Sequence, residues 1–335
     1  MYVGKSYKLT EFLVWTRKSI YILIVLGIVP VILYQILGLK WLAIPWTVVA
    51  LLGTATAFIV GFKNTQTYNR TAAAQHIWTS IINSSRAWGL LSRDFLDNPE
   101  KAKELIYRHF AWLTVLRFQL REKRVWESTD RAHNAEYRKY YTIPEHESEM
   151  EAVLTKYLTN NELNYVLSKK NRALQILSLQ SKAVKDLFAK EEIVLLQFYE
   201  IQSTLRDFVA LQGSCEEIKD SPYPRQYAII NTLLLKLFCF LLPFGMLKEL
   251  DRLNDTIDGV MRGNMVWFVI PFSVLISWMY TSLVQVGEST ENPFEGGAND
   301  VPISQLCEII EIDLREMLDE NNITALTQPK HNIIM

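Results

Sequence analysis

Apolar residues gather in four long runs, and polar residues fill the stretches between them. Ile20 to Leu39 is almost wholly apolar. Trp41 to Phe62 follows after only Lys40, so the first two runs read as a tight helical hairpin. Tyr227 to Leu247 is less oily, with Asn231, Lys236 and Pro243 inside it, and Met265 to Val286 closes the set. A bilayer core takes about 20 residues of helix, so each run is long enough to span. Trp41, Trp46, Trp267 and Trp278 stand where amphipathic rings anchor spans at interfaces.

The second run carries a further pattern. Thr54, Phe58 and Phe62 are four residues apart, which places them on one face of a helix. Gly53 and Gly61 lie in the same segment, where small residues let helices approach closely. The segment ends in Lys63, Asn64 and Gln66. A stripe of one hydroxyl and two aromatic rings leading to polar residues suggests a pore wall. Periodicity alone also fits a stripe that packs against neighbouring helices.

Between the second and third runs the chain is rich in charge and helix formers. Val115, Leu116, Phe118 and Leu120 interleave with Arg117, Arg121 and Lys123; Ile176, Leu177, Leu179 and Val184 interleave with polar residues in the same way. No sustained alternation indicates a sheet. Pro222 and Pro224 mark the return to the membrane, because X-Pro pairs interrupt helices. After the fourth run, Ser304 to Leu318 is helix-like. The expected fold class is therefore all-α, with four transmembrane helices per chain and a large helical cytosolic domain. The segments are 1–19 (cytosolic), 20–63 (two spans), 64–224 (helical cytosolic domain), 225–286 (two spans) and 287–335 (cytosolic tail). Arg17 and Lys18 before the first span, with Lys63 and Arg70 after the second, put the N-terminus and the large block in the cytoplasm. The loop from Lys248 to Arg262, which this topology puts outside, carries Lys248, Arg252 and Arg262 against four acidic residues, so its cations pull weakly the other way.

A net charge of −1 with no basic tract argues against nucleic acid as a partner. Cys215, Cys239 and Cys307 show no metal spacing, and three cysteines suit a reducing compartment better than a disulfide framework. The N-terminus lacks the small-residue cleavage site of a signal peptide. Phosphate-binding loops, dinucleotide turns and hydrolase motifs are missing, so neither enzyme nor cofactor is expected. His76, His109, His133, His146 and His331 have no ligand spacing and read as surface or packing residues. The acidic run Glu308, Glu311, Asp313, Glu316, Asp319 and Glu320 reads as a solvated helix face rather than a metal site. Cys215 reads as a packing residue. Lys236, a charge inside an apolar run, is either a functional residue or one that snorkels or faces a vestibule.

Short motifs then add a resemblance. Gly61-Phe62-Lys63-Asn64-Thr65-Gln66-Thr67-Tyr68-Asn69-Arg70 resembles the signature that leaves the second membrane helix of bestrophins. Ser85-Arg86-Ala87-Trp88, Gly213-Ser214-Cys215-Glu216-Glu217-Ile218, Ser221-Pro222-Tyr223-Pro224, Leu242-Pro243-Phe244-Gly245 and Glu291-Asn292-Pro293-Phe294 follow in the family's order. Thr71-Ala72-Ala73-Ala74 replaces the family's usual aromatic and acidic residues after Arg70, which leaves the local packing open.

The resemblance implies a homopentamer in a lipid bilayer around one axial pore. Thr54, Phe58 and Phe62 would be the neck positions, and the cytosolic helices would wall a vestibule. Counting back from Pro224 makes Leu196 the cytosolic aperture, with Ile193 and Leu195 as alternatives and an ordinary core leucine equally consistent. Animal bestrophins hold calcium just after Asn-Pro-Phe. Here that loop reads Glu295-Gly296-Gly297-Ala298-Asn299-Asp300, too few carboxylates for an ion that takes 6–8 oxygens, which resembles the bacterial branch. The implied function is a passive channel for chloride or other monovalent anions, not gated by calcium, in a bacterial inner membrane with both termini cytoplasmic. Aromatic rings attract anions at their edges and cations at their faces, so a monovalent-cation channel stays open as an alternative. A non-conducting scaffold or sensor is a third reading.

Overall fold

A computed structural model describes residues 1–128, 134–259, 261–321, 323 and 325–335. Among these residues regular structure is helical, apart from isolated bridges that join Ile333 to Tyr2 and Lys330. In chain order the α-helices are α1 (Leu9–Gln35), α2 (Trp46–Phe95), α3 (Pro99–Arg121), α4 (Asn134–Tyr137), α5 (Pro144–Glu147) and α6 (Met150–Leu154). They continue with α7 (Asn160–Leu167), α8 (Arg172–Ala189), α9 (Leu195–Asp220), α10 (Arg225–Arg252), α11 (Val269–Ser289) and α12 (Ile303–Met317). Four of them, α1, α2, α10 and α11, contain segments long and apolar enough to cross a membrane.

α2 is the axis of the molecule. Its 50 residues form one helix, about 75 Å long at 1.5 Å per residue, that runs from the apolar bundle into the polar body without a break. Nothing in its sequence stops it: no proline lies inside, and Ala72, Ala73 and Ala74 are strong helix formers at the point where the apolar run is long over. Its inward face is continuous. Val49, Gly53, Thr56, Val60, Lys63, Thr67, Ala74, Trp78, Ile81, Ser85, Trp88 and Ser92 are all buried, at helical spacing. The helix stops where Leu96 turns extended, and Asn98 starts α3 by accepting a 3.0 Å bond from the Glu100 N–H, with Pro99 at the first helical position.

In the membrane part, α10 packs on α2 and α11, and α1 packs on α11. Gly53 permits the α2–α10 contact: a Cβ there would lie 2.7 Å from the Phe238 ring. Gly245 of α10 does the same one level up, 2.7 Å from Val49. Gly61, paired with Gly53 in the sequence reading, has nothing nearby and lies on the open side of α2. Tyr34 and Lys40 both reach the Asp251 carboxylate, at 2.7 and 3.2 Å, so the α1–α2 turn and the outer end of α10 are tied together. In the polar body α2 packs on α9 and α12, and α8 bridges α3 and α9. Its core is aromatic: Trp112 and Phe208 rings lie 5.0 Å apart, Trp88 and Phe208 6.0 Å, and Trp112 Nε1 donates to Gln212 Oε1 at 3.0 Å.

Where the two parts meet, the exit motif folds inward. Lys63 is 3% exposed, and its Nζ lies 3.4 Å from the buried Glu291 carboxylate and 5.8 Å from the Tyr223 ring centre. Arg70 donates to the Glu291 and Ile218 carbonyls at 3.1 and 2.9 Å. Asn64 donates to the Leu283 carbonyl at 3.1 Å and packs so closely on Gly287 that no Cβ fits there. Thr71 donates to the Thr290 carbonyl at 3.0 Å and Ala74 is fully buried, so the departure after Arg70 is packed rather than loose.

Removing one member of a buried ion pair strands the other charge, at a cost of about 3–5 kcal/mol. Lys63→Met or Glu291→Gln alone is therefore expected to lower the thermal unfolding midpoint in detergent by an amount on the order of 5–10 °C. The double variant Lys63→Met/Glu291→Met should recover most of that loss; additive losses would mean that the pair does not act as a unit.

Candidate functional site

The buried stripe of α2 leaves the opposite face bare. Thr54 is exposed there, Phe58 is 76% exposed and Phe62 is 51% exposed, although all three lie in the apolar half of the helix. Thr54 Oγ1 donates back to the Ala50 carbonyl at 3.0 Å, which leaves its lone pairs facing outward. Among the described residues, no other helix covers Thr54, Phe58 or Phe62. Below Phe62 the same face continues through Thr65, Asn69, His76, Ser80 and Asn83, all exposed. The first carboxylate anywhere along α2 is Asp94, at its far end. The sequence reading missed this continuation, although the spacing that picked out Thr54, Phe58 and Phe62 runs straight on into it.

The polar exit residues do something different from what the sequence suggested. Lys63 and Asn64 were expected beside the stripe as part of a pore wall. They point away from it, into the contact with α11 and the 290–295 segment. The reason is azimuth: one residue is about 100° of turn on a helix, so Lys63 sits on the inward face while Phe62 sits on the outward one.

At the other candidate constriction, Leu196 is 77% exposed in the first turn of α9, and Leu195 beside it is exposed too. A core role for Leu196 is excluded. Ile193, the third alternative, is buried in the core of the polar body. Lys236 is exposed on α10, on the same face as Ile229, Leu233 and Phe240.

The remaining candidates are structural. His109 is fully buried, with its Nε2 2.8 Å from Ser85 Oγ, and burial pulls its pKa down to about 3, so the ring is neutral at pH 7. His146 and His331 are exposed, and His133 lies outside the described residues. The acidic run, expected as a solvated face, is instead largely a clamp. Asp313 pairs with Arg86 at 2.7 Å, Glu311 accepts from Tyr157 at 2.9 Å and pairs with Arg315, and Glu320 pairs with Arg315 and Lys103. Sequence could not show most of this: Arg315 is local to the run, but Arg86 of α2, Lys103 of α3 and Tyr157 just after α6 are more than a hundred residues away.

The loop after Asn-Pro-Phe has three of its four carboxylate oxygens hydrogen-bonded; Asp300 Oδ1 is buried without a hydrogen-bond partner among the described residues. Glu295 accepts from the Ser128 N–H and hydroxyl at 2.8 and 2.7 Å and from Asn292 at 3.2 Å. Asp300 Oδ2 accepts the Gly296 and Gly297 N–H groups at 2.8 and 2.9 Å, and Arg121 lies 3.8 Å away. Burial pushes both carboxyls above the ordinary range, and the charge of Asp300 raises Glu295 further. Gly296 has φ +88°, and a side chain there would strike Ile143.

These features define a class: a helical protein with four membrane-crossing segments, whose second span runs on as one rod into a packed polar body and keeps one face bare throughout. The chain matches the family described as Bacterial/Fungal Bestrophin protein over residues 13–316, and it belongs to that family. It is similar to the protein named voltage-dependent anion channel-forming protein YneE from Salmonella typhi, with 28% identity over 299 residues, 88% of this chain and 83% of that one. The protein of the same name from Escherichia coli K12 is 28% identical over 297 residues. Among solved structures, a bacterial bestrophin homolog from Klebsiella pneumoniae superposes with a TM-score of 0.75 at 22% identity, covering 91% of this chain and 99% of that one. That likeness fixes the fold.

Burial pushes the Cys215 and Cys307 thiols up to about 12, so both stay protonated near neutrality and neither is a nucleophile. A maleimide or methanethiosulfonate reagent applied to the folded protein at pH 8 is expected to leave both unlabelled and to label them only after unfolding. Rapid labelling of either in the native state would contradict this packing.

Proposed function

We propose that this protein is a passive channel for monovalent anions, chloride first among them, formed by five copies around one axis. The reading rests on the bare face of α2. A helix in the apolar part that exposes Thr54, Phe58 and Phe62, and beneath them hydroxyls, amides and an imidazole with no carboxylate, suits a conduit for anions. The family and the names of the relatives support the same reading.

In this reading five α2 helices turn the bare face toward the axis. Phe58 and Phe62 form an apolar neck that resists wetting, and Thr54 supplies one wettable layer. Ring edges are electropositive and favour anions, while the absence of carboxylates keeps the wall from repelling them. Leu196 forms a second constriction, at the start of α9. The segments 64–224 and 287–335, with both termini, lie on the cytoplasmic side of the bacterial inner membrane. Calcium is not required in this reading, because the loop offers only Glu295 and Asp300, and three of their four oxygens already accept from N–H, amide and hydroxyl donors.

Phe58→Ala and Phe62→Ala are expected to raise unitary conductance or open probability, since removing five rings widens the neck and eases wetting. Thr54→Ile is expected to reduce current. Single-channel recording in planar bilayers decides this, with reversal potentials in asymmetric KCl giving the sign of selectivity and native mass spectrometry the copy number. Unchanged conductance and open probability in all three assembled variants would place the pore elsewhere. A reversal potential near that of potassium would favour the cation alternative.

Adding a calcium chelator to both sides of the same bilayer is expected to leave the current unchanged. Closure on chelation with recovery on calcium addition would overturn the calcium-independent reading.

A further inference from the structure

We infer that His76 is a proton-controlled selectivity residue of the conduit, positioned to add positive charge to the anion path as pH falls. The inference rests on the channel reading above and adds a residue and a control that the neck does not supply. His76 is 18 residues after Phe58. At 3.6 residues per turn that is five whole turns, so the imidazole returns to the azimuth of the Phe58 ring, about 27 Å further along the rod. It stands opposite the buried stripe of Ala74, Trp78, Ile81 and Ser85, and it is exposed. The helix between is continuous, so no bend takes His76 off the face that carries the neck.

Among the described residues, no hydrogen bond or ion pair engages the His76 ring. The charged groups on the surrounding elements are mostly committed. On α2, Arg70 serves the Glu291 and Ile218 carbonyls, and Arg86 pairs with Asp313 of α12. On α9, Glu216 accepts from Gln212 and Asn171, Lys219 pairs with Glu127, and Asp220 pairs with Arg124. Arg206 donates to Ser203 on its own helix. Glu200, Asp207 and Glu217 are the exposed carboxylates left on α9 without a described ion pair.

Imidazole is the side chain whose charge changes between pH 5 and 8. On an α2 face that meets no carboxylate of its own helix before Asp94, protonated His76 residues from five copies would form a ring of charge. A conduit lined by one sign of charge concentrates the opposite ion and raises its rate of entry. The neck itself carries no titratable group, so this ring is where the α2 wall can gain charge.

The test compares wild type with His76→Gln and His76→Lys in planar bilayers at pH 8 and pH 5.5, with Glu217→Gln as a control for the neighbouring carboxylate. Acidification is expected to raise the wild-type chloride current about twofold and move the reversal potential toward chloride. His76→Gln should abolish the response, His76→Lys should hold the raised value at both pH values, and Glu217→Gln should keep the wild-type response. A wild-type pH response that survives His76→Gln, or no response in wild type, overturns the inference while leaving the channel reading intact. If the current proves to be carried by cations, the anion reading fails separately. The inference then requires acidification to lower that current in wild type and not in His76→Gln, and any other result overturns it. Absence of current under every condition overturns both.

Discussion

The ion pair between Lys63 and Glu291 sets the rotation of α2, and most of the molecule follows from that rotation. A lysine ammonium is stable in a buried place only when a partner compensates its lost hydration, and the partner here is fixed by the Asn-Pro-Phe segment. With Lys63 held inward, Asn64 and Arg70 fall onto α11, the loop after α11, and α9. Phe62 then has one direction left, outward. The inward stripe from Val49 to Ser92 is a consequence of the same azimuth, and so is the aromatic core that Trp78 and Trp88 build with Phe208 and Trp112. The polarity of the exit from the membrane is thus a clamp, and the face beside it is left bare.

Much of the fold was legible in the sequence because its signals are local. Apolar runs of bilayer length gave the four spans, and the helical period gave the all-α body. The i, i+4, i+8 spacing picked out Thr54, Phe58 and Phe62 as one face, and that face is exposed. What the sequence hid was long-range pairing. Nothing near Lys63 announces Glu291, and nothing in the run from Glu308 to Glu320 announces Arg86, Lys103 or Tyr157. A charge run whose partners lie on other helices looks the same as a solvated one until the chain is folded. The uncertain register around α9 had a related cause: Ile193, Leu195 and Leu196 are equally apolar, and only the turn that starts the helix decides which of them is buried.

The glycines separate in the same way. Gly53, Gly245 and Gly287 are each pressed by a side chain of another helix, so their lack of a side chain is what permits the contact. A Cβ at Gly61 would meet nothing within 4 Å among the described residues, although Gly61 sits in the same apolar segment as Gly53. Small size is visible in a sequence; which side of the helix needs it is not.

Because α2 is a single rod from the outer end of the bundle to the far side of the polar body, it has no joint at which a twist could be absorbed. Turning the lower part of the rod by a few degrees turns the phenylalanine rings by the same angle. The molecule is in this respect a driveshaft: torque applied to the helices that grip α2 near Trp88 is carried along the rod toward Phe58, and any device that repositions that ring from a distance needs only to rotate the shaft.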